Sequence, residues 1–280
     1  YEGIDDDILE LSAIMAEQHP YEPQVLAFRA QILAMRESYN EALMLFKKVS
    51  ELDPGKYEVW ENILRITALM EKYDSLIVVS TQVIDLFPVQ PLPYYFQAVG
   101  NIMMERYNDA VSSLNTGIKL VFNNNPLMAD FYSMNGDALY KLKRYQDAYN
   151  SYENALRYSP DNEGVLNNYA YYLSLENKDL EKAERMAIKA NELSPDNPTY
   201  LDTYAWVLYK KGAYSEALIQ MEKVLKLDKN PSGTELEHLG DILYKLNKVE
   251  DAINWWKKAL EAGGASDKLP MKIKDGRLYE

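Results

Sequence analysis

The segment "DALYKLKRYQDAYNSYENALRYSP" runs from Asp137 to Pro160 and carries the spacing that decides the fold. It reads as two helical runs joined by a short polar turn just before Tyr145. Small residues, Gly136 and Ala148, stand where two antiparallel helices would cross closely. Tyr152 is bulky enough to fill the gap to a neighbouring helix pair. Pro160 ends the second run, because proline lacks the backbone N–H that a continuing helix requires.

The same spacing recurs along the chain. Pro20, Pro54 and Pro88 stand 34 residues apart, and each follows a run with helical apolar spacing. The tyrosine after the turn and the small residues at the crossing also recur in most copies. We therefore predict a half repeat followed by seven full repeats and a C-terminal tail, 267–280, that is irregular or extended and covers the last apolar face. The predicted repeats are 1–22, 23–56, 57–90, 91–128, 129–162, 163–197, 198–232 and 233–266.

This pattern resembles the tetratricopeptide repeat family, in particular its bacterial multi-repeat members. The resemblance implies an all-α, right-handed superhelical solenoid of antiparallel helix pairs. It also implies that the opening half repeat continues an array upstream of Tyr1. Two copies depart from the pattern. In the sixth, Lys229 replaces the terminal proline, and in the second, Leu64 and Leu76 replace the small crossing residues and Ser80 replaces the bulky one. We expect that helix pair to be more widely spaced or tilted.

Composition narrows the classes of function. The net charge of −13 disfavours nucleic acid as a partner, because phosphate binding needs clustered Lys and Arg. The chain has no cysteine, and no apolar run reaches the length of a membrane-spanning helix. His19 and His238 are interpreted as solvated or packing residues. No nucleotide-binding, metalloprotease or nucleophile-elbow motif occurs, so we predict no enzyme activity, no cofactor and no metal.

The resemblance also implies where a partner would bind, since first helices line a concave groove in this family. Carried onto this sequence, the groove candidates are Tyr95, Asp137, Tyr140, Lys141, Tyr171, Asp202, Trp206, Tyr209, Lys210, Asp241 and Tyr244. For Tyr140, Tyr209 and Tyr244, a packing role and a contact role remain equally open. Trp206 is interpreted as a contact residue. The acidic candidates favour a protein or peptide partner with basic or aromatic character.

The leading interpretation is a non-catalytic scaffold that binds a peptide or protein segment, in a bacterial cell-envelope assembly that is periplasmic or lipid-anchored. The alternative is a regulatory or substrate-recruiting arm of a larger enzyme or signalling protein. A small-ligand or glycan receptor that uses the tyrosines and Trp206 is a third interpretation. The pattern leaves the three open.

Overall fold

The computed structural model describes residues 6–263 and 266–279, and these residues form α-helices joined by short turns. The chain divides into two compact units, residues 1–158 and residues 159–280, which we call unit 1 and unit 2. Among the described residues, no helix is both long and apolar enough to cross a membrane.

Unit 1 contains one opening helix and then four helix pairs. Its helices are α1 (Asp6–Gln18), α2 (Pro23–Met35), α3 (Tyr39–Leu52), α4 (Tyr57–Leu69), α5 (Tyr73–Leu86), α6 (Pro91–Met103), α7 (Tyr107–Ile118), α8 (Asn125–Lys141) and α9 (Tyr145–Tyr158). Each pair packs its two helices together, and the bulky side chains Phe46, Leu114 and Tyr152 are almost fully buried between neighbours. Unit 1 is therefore an array whose core is built from stacked helix pairs.

The α4/α5 pair matches the expectation drawn from its sequence. Leu64 and Leu76 are fully buried at the crossing. The two backbones come close over less of their length than in the other pairs. Two leucines occupy the space that small residues leave for the backbone elsewhere, which accounts for the shorter stretch of close approach.

Unit 2 contains three helix pairs and a short final helix. Its helices are α10 (Glu163–Leu175), α11 (Leu180–Leu193), α12 (Pro198–Lys210), α13 (Tyr214–Leu227), α14 (Gly233–Lys245), α15 (Val249–Ala262) and α16 (Leu269–Asp275). The first helices α10, α12 and α14 contact one another in succession. They form one continuous face, which positions the site described below.

The turn inside each pair has the same geometry in both units. In the first, Glu37 adopts a left-handed backbone with φ 60°, while its N–H donates to Ala34 and the N–H of Ser38 donates to Leu33. Equivalent turns place Glu71, Glu105, Lys143, Asn177, Gly212 and Asn247 at this left-handed position. These paired hydrogen bonds form a Schellman motif, which satisfies the last carbonyls of the first helix.

The expectation of an irregular or extended tail is wrong over Leu269–Asp275, which form α16, whereas residues 276–279 are a turn and irregular chain. Pro270 lies in the first turn of this helix, where its missing N–H costs nothing. Leu269 is fully buried in the unit 2 core and Ile273 packs against that core, whereas Met271 is 48% exposed. The tail thus meets the core through one face of a helix.

Candidate functional site

The continuous face of α10, α12 and α14 contains two depressions, which we together call the unit 2 groove. One, of about 550 Å³, is lined by side chains of these helices and of the C-terminal segment, among them Tyr171, Trp206, Lys210, Lys272 and Tyr279. The other, of about 530 Å³, is lined by amides, hydroxyls and carboxylates. The amides and hydroxyls are mainly Asn167, Asn168, Thr199, Thr203, Asn230 and Ser232, and the carboxylates are Asp202, Asp228 and Glu235. Tyr171 and Thr234 line both depressions, so the two are continuous.

The floor of the larger depression is a stack of rings. Trp206 stacks on Tyr209 at 4.6 Å and on His238 at 4.0 Å between ring centroids. The Lys210 ammonium lies 5.0 Å from the Trp206 ring centroid, within range of a cation–π interaction. Trp206 is only 8% exposed. Its main contacts are therefore within the protein, and little of the ring is open to a partner.

His238 forms a buried pair with Asp202 across α14 and α12. Its Nδ1 lies 2.9 Å and 3.0 Å from the two carboxylate oxygens of Asp202. Burial disfavours the charged ring, but the charge and hydrogen bond of Asp202 raise the pKa of His238 above its ordinary value. The packing role expected for this histidine is present, and it includes an ion pair that the sequence pattern did not reveal.

Lys272 of α16 is buried between two carboxylates of α14. Its Nζ donates at 2.7 Å to Glu237 and at 2.7 Å to both oxygens of Asp241. Only 3% of Lys272 is exposed, so this pair is removed from water. Ser266 adds two hydrogen bonds to Glu237, from its backbone N–H and from its hydroxyl. The C-terminal segment is thus tied to α14 by charge as well as by Leu269.

These contacts set the ionisation of the two carboxylates. Burial alone would raise the pKa of Glu237, but hydrogen bonds from Lys272 and Ser266 lower that pKa below its ordinary value. Burial raises the pKa of Asp241, and Lys272 opposes that shift. Burial, with the nearby charges of Asp202 and Glu237, also raises the pKa of Tyr171 to about 12, so its hydroxyl is neutral in the groove.

The expectation that Asp202 and Asp241 are open acidic groups for a basic partner is wrong. Both are buried, and each is paired with a cation of the chain itself. The sequence pattern places them at groove positions but cannot show that His238 and Lys272 reach them. Their partners come from helices that follow 36 and 31 residues later in the chain.

Asp137 and Asp241 also share a structural role that links the two helices of one pair. Asp137 accepts a hydrogen bond from the Tyr152 hydroxyl at 2.6 Å, and Asp241 accepts one from Trp256 Nε1 at 2.8 Å. Each aspartate follows a glycine, and that glycine faces the ring to which the aspartate is hydrogen-bonded: Gly136 faces Tyr152 and Gly240 faces Trp256. The sequence carries this signal: Gly-Asp occurs in the repeats whose bulky residue is Tyr152 or Trp256.

The remaining candidates lie apart from the two depressions. Tyr244 stacks on Trp256. In unit 1, Tyr95 packs edge-on against Phe96 and Phe131, and burial raises its pKa to about 12. Tyr140 packs against Tyr145 at 5.0 Å, and Lys141 ends α8. The structure therefore brings together Tyr171, Asp202, Trp206, Tyr209, Lys210 and Asp241, while the others serve separate contacts.

The helix pairs and their turns are similar to those of known repeat proteins. Residues 139–207 match the family model described as tetratricopeptide repeat. The chain has a multi-repeat tetratricopeptide fold. Among curated proteins, none matches the sequence.

Solved tetratricopeptide structures share the fold at low sequence identity. A tetratricopeptide repeat protein from Parabacteroides merdae is 16% identical with a TM-score of 0.69, and the match covers 91% of this chain and 98% of that one. The Cut9–Hcn1 hetero-tetramer of the APC/C gives 18% identity and a TM-score of 0.67 over 85% of this chain, which spans only 46% of that chain. YrrB, a tetratricopeptide protein with an unusual peptide-binding site, gives 16% and 0.52, covering 66% of this chain and 93% of YrrB. At these identities the likeness is one of fold.

Proposed function

We propose that the protein is a non-catalytic interaction scaffold that binds a segment of a partner protein in the unit 2 groove. The observation that carries this proposal is the groove itself. It is a continuous face of three first helices with an aromatic floor at one end and amides, hydroxyls and carboxylates at the other. An aromatic floor contributes contact area at low entropic cost, and the amides and hydroxyls can hydrogen-bond a main chain.

Site-specific photo-crosslinking in cells tests this function. A photoreactive amino acid replaces Tyr171, which lines both depressions, and in a matched control it replaces Ile219, which is 52% exposed on α13. We expect a discrete protein to crosslink at position 171 and to be absent at position 219. Equal crosslinking at both positions, or none at 171, would contradict a groove-binding scaffold.

The proposal extends to the setting of the scaffold, a bacterial cell-envelope assembly. Its support is the resemblance of the repeats to envelope tetratricopeptide proteins. Fractionation of the source cells checks it: the native protein should be recovered with the periplasm or the membranes. Recovery with the cytosol would rule out that setting and leave the groove proposal standing.

A further inference from the structure

The last residues of three first helices of unit 1 are apolar and exposed. Met35, Leu69 and Met103 end α2, α4 and α6, stand 34 residues apart, and are 59%, 62% and 53% exposed. Single exposed apolar residues are ordinary on a protein surface, whereas a row of them at the same position of successive repeats indicates an interaction surface. Methionine suits such a surface, because its side chain is flexible and polarisable.

An exposed glutamate follows each of these apolar residues two positions later. Glu37, Glu71 and Glu105 have a left-handed backbone, with φ of 60°, 55° and 57°, which glycine or asparagine adopts at lower cost. In the described part of the chain, the side chains of these glutamates form neither an ion pair nor a hydrogen bond. Three carboxylates without a partner thus stand beside the apolar row.

The base in each of these turns contacts a residue of the second helix before it. Since each base reaches back in this way, successive turns are neighbours along one side of unit 1. The segments 35–41, 69–75 and 103–109 each hold two carboxylates and one base, so negative charge remains in excess. The three contacts are Arg36 with Asp6, Lys72 with Asn40 at 3.4 Å, and Arg106 with Asp74 at 3.9 Å.

The row ends at the fourth helix pair of unit 1. There Lys141 ends α8 and Lys143 takes the left-handed position, so a base replaces both the apolar residue and the glutamate. The mixed apolar and acidic surface therefore covers three repeats. We call it the unit 1 edge, which consists of Met35, Glu37, Leu69, Glu71, Met103 and Glu105.

We propose that the unit 1 edge binds a basic amphipathic helix of a partner protein. Packed helices such as α4 and α6 stand about 8–10 Å apart, which sets the step between members of the row. Residues seven apart on one face of a helix are separated by about 10 Å, so apolar residues at that spacing match the row. Lysines or arginines beside them would then face the three glutamates. This second binding surface is independent of the unit 2 groove.

Fluorescence polarisation with the full-length chain tests the proposal. The probes are fluorescein-labelled helical peptides of twenty-one residues with Leu at every seventh position. One has Lys beside each Leu, one has Glu there, and a third is a scrambled form of the Lys peptide. We expect the ordered Lys peptide to bind about tenfold or more tightly than the scrambled one, and the Glu peptide to bind least.

Replacing the three glutamates by asparagine tests the charge requirement. Asparagine suits a left-handed backbone, so this variant should be at least as stable as the parent. We expect the affinity for the ordered Lys peptide to fall about tenfold, because three facing charges are lost. The variant is Glu37→Asn/Glu71→Asn/Glu105→Asn.

The matched control removes the same number of charges elsewhere in unit 1. It changes three exposed carboxylates that also stand 34 residues apart, in the last turns of α1, α3 and α5. The two triple variants have the same net charge, and the control should weaken binding by less than about twofold. The control is Glu17→Gln/Glu51→Gln/Asp85→Asn.

Leu69→Ser tests the apolar contact. We expect it to weaken binding of the ordered Lys peptide about fivefold, since Leu69 is the central member of the row. Val78→Ser is its control, because Val78 is 69% exposed on the second helix α5. That variant should bind like the parent.

Several outcomes would overturn the proposal. Equal weakening by the two triple variants would show only a general attraction to an acidic chain. Binding of the Glu peptide as tightly as the Lys peptide, or no binding at all, would also overturn it. Dimerisation of the parent that is lost in Leu69→Ser, measured by analytical ultracentrifugation, would identify a second copy as the occupant. Crosslinking at position 171 decides the groove function separately from all of these.

Discussion

At the scale of single residues, Gly240 shows how closely the two helices of a pair approach. A Cβ at this position would lie 2.4 Å from Cδ1 and Nε1 of the buried Trp256 ring. We expect Gly240→Ala to lower the free energy of unfolding by about 1–2 kcal/mol, because the overpacking exceeds the gain in helix propensity. Urea unfolding followed by circular dichroism measures the change.

Gly55→Ala is the control for that substitution. A Cβ at Gly55 would meet only Asp53, at 3.9 Å, so its stability should stay within about 0.5 kcal/mol of the parent. Equal stability of the two variants would show that the Trp256 ring can move aside, and that the glycine is not required for the crossing.

The His238–Asp202 pair makes stability depend on pH. The pKa of His238 is raised in the folded protein, so the stabilisation is fully present below the unfolded pKa of about 6.5 and is lost as pH rises through the folded value. We expect the free energy of unfolding to fall more between about pH 6 and pH 9 for the parent than for His238→Gln. Parallel pH profiles for the two proteins would contradict this.

Glu237 makes the stability of the folded protein depend on pH in the acidic range. Hydrogen bonds lower its pKa, so its contribution is present above the unfolded value and is lost as pH falls through the lowered one. The two groups therefore act in separate pH ranges. Above neutral pH, the difference between the parent and His238→Gln therefore reports the contribution of His238 and not that of Glu237.

At the scale of elements, α16 is the part of the chain whose contribution is easiest to isolate. We expect Leu269→Ala to destabilise unit 2 by about 2–4 kcal/mol, because its fully buried side chain would leave a cavity between α16 and the core. Met271→Ala, on the exposed side of the same helix, should change stability by less than about 0.5 kcal/mol. Thermal unfolding of both variants is the measurement, and similar losses would mean that α16 is not a cap of the core.

Much of the element pattern could be predicted from sequence. Small residues at the crossings, bulky residues between pairs and prolines after the second helices predict the helix pairs, because the packing that they permit is local. The expectation of an extended tail fails over Leu269–Asp275, because proline is tolerated in the first turn of a helix as well as in extended chain.

The part of the site that could not be predicted is made by contacts between distant residues. Lys272 donates a hydrogen bond to Glu237, which lies 35 residues earlier in the sequence, and the periodicity of neither segment predicts that contact. The left-handed turns are hidden where Glu37, Glu71, Glu105 and Lys143 stand, whereas Asn177, Gly212 and Asn247 carry the usual glycine or asparagine signal. Conversely, the sequence does contain a signal for the hydrogen bonds of Asp137 to Tyr152 and of Asp241 to Trp256, because each aspartate follows a glycine. The repeat pattern alone places these aspartates only at groove positions.

At the scale of the whole molecule, the stacking of pairs predicts that damage stays local. Within each unit, a helix pair contacts mainly its neighbours, so stability should behave as a sum of repeat and interface terms. We expect Leu269→Ala to speed amide hydrogen exchange in α14–α16 while leaving α2–α5 unchanged. Phe46→Leu, which alters a buried side chain of α3, should do the reverse. Uniform acceleration in either variant would show that the chain unfolds as a single cooperative body.

The buried state of Lys272 has a chemical consequence. The lysine amine must reach an acylating reagent as a free nucleophile, and the Lys272 amine is hydrogen-bonded to two carboxylates and shielded from solvent. Lys257 and Lys268, which are exposed, should be modified quickly, while Lys272 should remain unmodified as long as α16 is seated on α14. Its reactivity, read by mass spectrometry, would report in untagged protein whether binding at the groove ever lifts the final helix.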